Sequence, residues 1–314
     1  MGGDVVADLS HSGLIAVTGA DAMAFLQGQL INDIREVSEQ HSQLGGACSQ
    51  KGRLLASFRI IKRADTYYLM LARELLEPLI KRLRLYVLRA KAQLDDVSDE
   101  WVTLGFQGEA AASTARAVLG GLPARVDDAR QAADLTVVRL HGTPPPRFLS
   151  FGPLEASRTL WEALSGIAIP VGAGAWSLTD ISAGVPTIRA ETSDVFVPQM
   201  VNYQALGGVS FTKGCYTGQE IVARTQYLGK LKRRMYRAHL DTGAAPAPGD
   251  ELYAPSFPGG QSVGRLVSVE SSPDGGYEVL AVIQIESAEG DTIHLGDTAG
   301  PVLALQSLPY SVDA

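Results

Sequence analysis

Cysteine is scarce in this chain. Two residues, Cys48 and Cys215, occur among 314, and no CxxC pair exists. That excludes a disulfide framework and the four-thiolate set of a resident iron–sulfur cluster, and it fits a reducing compartment. The histidines (His11, His41, His141, His239 and His294) never fall at HxxxH or HExxH spacing, so no metal site is indicated. No apolar run is long enough to span a bilayer. The opening Met1 to Asp8 carries acids and no basic n-region, unlike a secretory leader. A cytoplasmic protein without membrane contact is therefore expected. Nucleotide-binding glycine motifs are missing too: Gly46 to Lys51 lacks the second glycine and the hydroxyl of a P-loop. One literal motif, Gly260-Gln261-Ser262-Val263-Gly264, matches GxSxG. A nucleophile elbow needs a strand before and a helix after. Here a proline–glycine turn precedes and a strand pattern follows, which excludes a hydrolase.

Hydrophobic content of 46% and charged content of 19% describe a folded protein, and the length allows two domains. The net charge of −7 argues against a surface built wholly for nucleic acid. Its distribution is uneven. From Lys213 to Arg237 the chain holds Lys213, Arg224, Lys230, Lys232, Arg233, Arg234 and Arg237 against Glu220, a local balance of +6. A charge run is usually a solvated face, but this one adjoins a chemically suggestive stretch.

That stretch is Ser210 to Arg224, with Lys213-Gly214-Cys215-Tyr216-Thr217-Gly218-Gln219-Glu220 at its centre. Thr217 and Glu220 fit a Thr-x-x-Glu capping box, which predicts a helix from about Gly218 with Thr217 as N-cap. Cys215 then lies outside the positive end of the helix, with Lys213 and Arg224 nearby. Both features favour a thiolate. The plainer reading is a glycine turn and a buried, inert thiol.

Apolar periodicity predicts strands at residues 14–18, 53–61, 67–71 and 92–97, with helices over 21–29 and 74–88. A second block follows, with strands at 101–106, 135–140 and 147–151 and helices over 109–119 and 154–164. Gly45-Gly46 reads as a turn, and the segment after Pro170 reads as loop up to the cysteine motif. Short strands separated by Pro/Gly turns resume near Met235. The expected fold class is α+β: a duplicated ferredoxin-like domain over residues 1–234, then a small C-terminal β-barrel over 235–314.

The octapeptide at Lys213 resembles the signature of the YgfZ family. Supporting matches are Phe196 to Phe211 before it, Ala223-Arg224 and Gly229 after it, and Gly19-Ala20-Asp21, Gln27-Gly28-Gln29, Lys51-Gly52-Arg53 and Leu308-Pro309-Tyr310-Ser311 farther off. The resemblance covers nearly the whole chain. It implies a folate-binding accessory protein for iron–sulfur cluster assembly or repair, with a fold similar to the aminomethyltransferase T-protein. Implied clients include enzymes that methylthiolate tRNA, and the implied cofactor is tetrahydrofolate or a derivative.

On that resemblance Trp176 contacts the pterin, Gln199 and Asn202 supply polar contacts, and Cys215 is a redox or cluster-contact thiol kept anionic by Lys213 and Arg224. The basic run Lys230 to Arg237 is the expected place for a folate polyglutamate tail or RNA, although Tyr236 is its lone aromatic. A second family tryptophan is replaced by Ser12. T-protein carries Arg-x-Glu before Ala-Gly where this chain has Asp180-Ile181-Ser182, and an acidic pair where this chain has Leu54 to Phe58. The expectation is a pocket without the carboxylate that aminomethyl transfer needs. The alternative is a folate-dependent aminomethyl or demethylating transferase. Whether Cys48 lies near Cys215 is open at this level.

Overall fold

A computed structural model describes residues 3–312 apart from Ala133. Three sheets organise it. The first has five antiparallel strands in the order Gln43–Cys48, Leu54–Arg63, Thr66–Ala72, Ser12–Thr18 and Gln93–Asp96. The second has six, in the order Ile169–Val171, Val5–Asp8, Val102–Gln107, Arg147–Gly152, Leu135–Arg139 and Ala129–Ala132. Its pairings are antiparallel except that Val5–Asp8 runs parallel to Ile169–Val171.

Side-chain alternation dictates how these sheets stack. In Ser12–Thr18, Ile15 and Val17 join the core beneath the helices Ala22–Gln29 and Leu76–Val87. Leu14 and Ala16, on the opposite face, meet Leu149 and Phe151 of the second sheet. Phe148, one residue before Leu149, points to the helices Glu109–Leu119 and Leu154–Ser165. The layers thus run helix, sheet, sheet, helix. The two sheets face each other across a core of Tyr68, Phe151, Trp101 and Trp176.

The third sheet runs His294–Leu295, Glu251–Tyr253, Gly264–Ser271, Tyr277–Gln284, Arg233–Leu240 and Leu303–Gln306. Its outer strands are linked among the described residues only through the isolated bridge His294 to Val302. The expected barrel is therefore a curled half-barrel. One face of it encloses a core of its own, with Ala238, Leu252, Val279, Ala281 and Ile283, while Met235, Val267, Leu280 and Val282 on the other face join the same buried cluster as the helix-side face of the first sheet.

Several expectations change. The strand patterns and the four long amphipathic helices fall within a few residues of where periodicity put them. Gly45-Gly46 is strand, not turn. These glycines sit where Asn32 and Leu54 press against the backbone, so the missing side chains permit close packing. The segment after Pro170 contains a helix, Ala173–Ser182, which the glycines and hydroxyls concealed. Burial of Trp176, Leu178 and Ile181 overrides the weak local propensity. The two blocks are also not separate in space, because Val5–Asp8 lies in the sheet of the second block.

Because the half-barrel shares a core with the first sheet, the protein should unfold as one unit. Leu280, fully buried, should cost about 2–5 kcal/mol on replacement by alanine. All three tryptophans lie outside the half-barrel, at Trp101, Trp161 and Trp176. In urea, Leu280→Ala should shift the tryptophan-fluorescence midpoint together with the circular dichroism midpoint. An unmoved fluorescence transition would mean separate domains.

Candidate functional site

The cysteine loop is fastened by its lysine. The Lys213 ammonium is buried and donates to the carbonyls of Gln27 (2.7 Å), Leu30 (2.7 Å) and Asn32 (2.8 Å). Its three protons match three acceptors at and just past the C-terminal end of the helix Ala22–Gln29, where carbonyls lack intrahelical donors. The buried Tyr216 ring lies 5.3 Å from the same ammonium. Burial pushes the lysine pKa down to about 8, which leaves it mainly charged at neutral pH. Lys213 is thus an anchor, its three donors engaged at the end of the first helix and the turn after it.

Cys215 is exposed beside this anchor. The helix that follows is Gln219–Tyr227, and its N-cap is Gly218, not Thr217, with no side-chain cap. Gly218 has φ of 83° and abuts Gly52 and the Ser49 carbonyl, so a side chain there would collide with backbone. A left-handed, crowded position forces the cap onto glycine. The two sequence motifs Lys51-Gly52-Arg53 and Cys215-to-Glu220 therefore meet in space. Gly214 and Thr217 complete the loop, Glu220 lies in the first turn of the helix, and Gln219 reaches only weakly to the Gly214 carbonyl, at 3.5 Å. Arg224 is exposed on the helix. Cys48 is buried, and burial pushes its thiol up to about 12, so it is an inert core residue.

A cavity of about 150 Å³ opens between the two facing sheets and the loop 185–189. Trp176, Ser12, Arg59, His141, Arg147 and Asp180 contribute to its wall. Arg59 is buried and bound to Asp127 (2.6 Å) and to the Ser42 hydroxyl (2.9 Å). Arg147 pairs with Asp180 at 2.5 Å and lies 4.9 Å over the Trp176 ring. The backbone at Gly105 closes on that same indole. Burial lowers the His141 pKa to about 4, with Asp127 opposing and Arg59 and Arg147 assisting, so the imidazole is neutral. Two buried polar atoms at this wall, Arg147 Nε and His141 Nδ1, have no hydrogen-bond partner.

The structure separates residues that the resemblance had grouped. Trp176 lines the cavity, but Gln199 and Asn202 do not. Gln199 is buried and donates to the Val222 carbonyl at 2.7 Å; Asn202 donates to the Met235 carbonyl at 3.0 Å. Both face a different recess, between the helix Gln219–Tyr227 and the half-barrel. They are joints between those elements because their amides satisfy buried backbone groups. The cavity is also not free of carboxylates: it is lined by Asp180, the first residue of the Asp180-Ile181-Ser182 stretch that stands where T-protein carries Arg-x-Glu. His11, His141, Arg59 and Arg147 were missed. They come from three separate segments, His11, Arg59 and the hairpin that carries both His141 and Arg147, and only the facing of two sheets brings these together.

The basic run is divided as well. Arg237 lies 3.7 Å from Glu278, and Arg234 stacks on Tyr236. Arg233 turns toward another cavity, while Lys230 and Lys232 are exposed. The GxSxG serine, Ser262, donates to the Gly264 carbonyl at 2.7 Å with no helix after it.

Three layers of evidence from known proteins agree with this architecture. Residues 4–139 match the family model of the GCVT N-terminal domain. The crystal structure of glycine cleavage system aminomethyltransferase T from Bartonella henselae superposes with a TM-score of 0.74 at 19% identity, covering 98% of this chain and 86% of that one. The protein is therefore of the T-protein fold class. A tRNA-modifying protein YgfZ of Yersinia pestis (strain Pestoides F) is 33% identical over 95% of this chain and 90% of its own length. Its counterpart from Edwardsiella ictaluri (strain 93-146) is 34% identical with the same coverage. The chain belongs to the YgfZ family. Among the described residues no helix is long and apolar enough to cross a membrane.

Two outcomes follow from this geometry. Lys213→Met should destabilise the fold by about 2–4 kcal/mol, because it leaves buried carbonyls without donors. Cys215→Ala, at an exposed site, should stay within about 0.5 kcal/mol of the parent. Urea denaturation of both variants checks the pair; equal stabilities would remove the anchoring role. For His141, the unfolded imidazole takes a proton near 6.5 and the folded one only near 4. Protonation therefore favours unfolding as pH falls through that window, by up to about 3 kcal/mol. His141→Gln should flatten the urea midpoint between pH 6.5 and 4; an unchanged slope would place the titration elsewhere.

Proposed function

We propose that this protein is a folate-binding accessory factor that supports assembly or repair of iron–sulfur clusters in client enzymes, among them enzymes that modify tRNA. The observation that carries the folate reading is the cavity between the sheets, where an indole adjoins two buried polar atoms without partners, Arg147 Nε and His141 Nδ1. Its residues fit a flat heterocycle with donors and acceptors on its edge. Arg147 donates, and the neutral imidazole offers one donor and one acceptor. A volume of about 150 Å³ is below the roughly 300–1,000 Å³ of sites that swallow whole ligands. It suits a ring system whose tail leads outward. When bound, a reduced folate supplies an electron-rich pterin that carries one-carbon units. Trp176 supports the ring by its edge or by exchange with Arg147, which now covers the indole face. The exposed Cys215 is the client-facing thiol, held in place by Lys213. On this reading the sheets are two ferredoxin-like halves, and residues 1–234 act with the half-barrel over 235–314.

Asp180 favours the runner-up, a one-carbon transferase, since it supplies a carboxylate at the cavity. Its pairing with Arg147 at 2.5 Å engages it as a charge partner. A product assay with an aminated or methylated donor and tetrahydrofolate should therefore show no turnover.

Titration with tetrahydrofolate should quench tryptophan fluorescence saturably, and Arg147→Ala should weaken binding at least tenfold, about 1.4 kcal/mol. No saturation in the parent would refute the folate reading. In cells under oxidative stress, Cys215→Ala should lower the activity of a client tRNA methylthiolase several-fold, and unchanged activity would exclude the thiol.

A further inference from the structure

The larger cavity lies elsewhere. About 550 Å³ in volume, it is enclosed by the Lys51–Arg53 turn, residues 195–200, the helix Gln219–Tyr227 through Ile221, and the half-barrel through Arg233, Ser262 and Arg265. Its lining holds four cations, Lys51, Arg53, Arg233 and Arg265, on a chain of net charge −7. Glu251 is the one carboxylate in that lining among the described residues. It is already engaged at both oxygens, by Arg265 at 2.5 Å and by the Tyr253 hydroxyl at 2.7 Å. Among the described residues Arg233 makes one hydrogen bond, a long one to the Ser262 carbonyl at 3.4 Å. Burial, and then the charge of Arg265, depress the Arg233 pKa.

Like charges gathered in a partly dry space raise the free energy of the empty protein, and an anion would lower it. Guanidinium groups suit phosphate oxygens because their forked donors match them in pairs. Between these cations the lining is apolar, with Phe196, Val197, Met200 and Val282, the last of which pairs with Arg265 across the sheet. A cavity that interleaves cations with apolar surface and is well above the size of a lone phosphate matches a phosphate carrying a flat base. We propose that this cavity is a nucleotide site, in which Arg53, Arg233 and Arg265 hold a phosphate while Phe196 and Met200 contact the base. The nucleotide is either free or an unpaired residue of an RNA strand; the recognising chemistry is shared. The turn that carries Lys51 and Arg53 abuts Gly218, three residues from Cys215, so the bound phosphate would lie against the thiol-bearing loop. The inference stands on these residues and does not depend on folate in the sheet cavity.

Fluorescence anisotropy with a labelled, unstructured RNA hexamer, and calorimetry with AMP and with inorganic phosphate, test it on the full chain. The parent should bind the hexamer or AMP saturably, with affinity falling as salt rises. Arg233→Glu should weaken binding at least tenfold. Lys51→Glu with Arg53→Glu should do the same; both residues are exposed, so this variant should keep the parent melting temperature. Arg116→Glu, an equal charge change on a remote helix, should stay within twofold. AMP binding as tightly as the hexamer identifies a free nucleotide, and hexamer binding that AMP does not displace identifies RNA. No binding by the parent, or equal losses in the cavity variants and Arg116→Glu, would overturn the site.

Discussion

A buried ammonium can persist only when its protons are met, and Lys213 meets all three with backbone carbonyls of one short segment. The rest of the architecture around the thiol follows from that condition. The carbonyls belong to the end of the first helix and the turn after it, so the cysteine loop is tied to the hydrophobic core under the first sheet. Tyr216 then packs down beside the ammonium, and Cys215, between the two, is left facing out. A thiol on a loose loop would wander. Here one charge-assisted cluster fixes its flanking residues while leaving the sulfur accessible.

Two cavities of different character flank the segment from Trp176 to Arg233. The one between the sheets is small, and its charges are compensated: Arg59 by Asp127, Arg147 by Asp180. The one beside the half-barrel is larger and leaves cations in excess. Compensated charge with a few unpaired edge atoms favours a neutral, polar heterocycle. Uncompensated charge favours an anion. The contrast comes from where the carboxylates went, not from the number of arginines.

The half-barrel is more than an appendage. Leu280 and Val282 enter the core under the first sheet, and the Asn202 amide binds the Met235 carbonyl across the junction. Gln199 does the same for the helix after the cysteine loop. The amide nitrogens of these two side chains satisfy backbone groups that folding has removed from water, while their buried oxygens have no hydrogen-bond partner among the described residues.

Period-two and helical patterns in the chain were enough to locate most strands, the long amphipathic helices and the change of texture near Met235, because those patterns are local. The octapeptide around Cys215 was enough to place the chain in its family. What tertiary structure alone decided is every juxtaposition. Gly45-Gly46 became strand because Asn32 and Leu54 press on them, and Ala173–Ser182 became helix because Trp176 and Ile181 could be buried. Gly218, not Thr217, became the cap because Gly52 and Ser49 leave room for nothing larger. Lys213, two residues from Cys215 in sequence, turned to carbonyls nearly two hundred positions earlier, and Arg59, the hairpin of His141 and Arg147, and Asp180 became neighbours only when distant segments packed together. Sequence spacing carries the geometry of a single strand or helix; contacts between distant segments depend on which faces become dry, and that is settled when the chain packs.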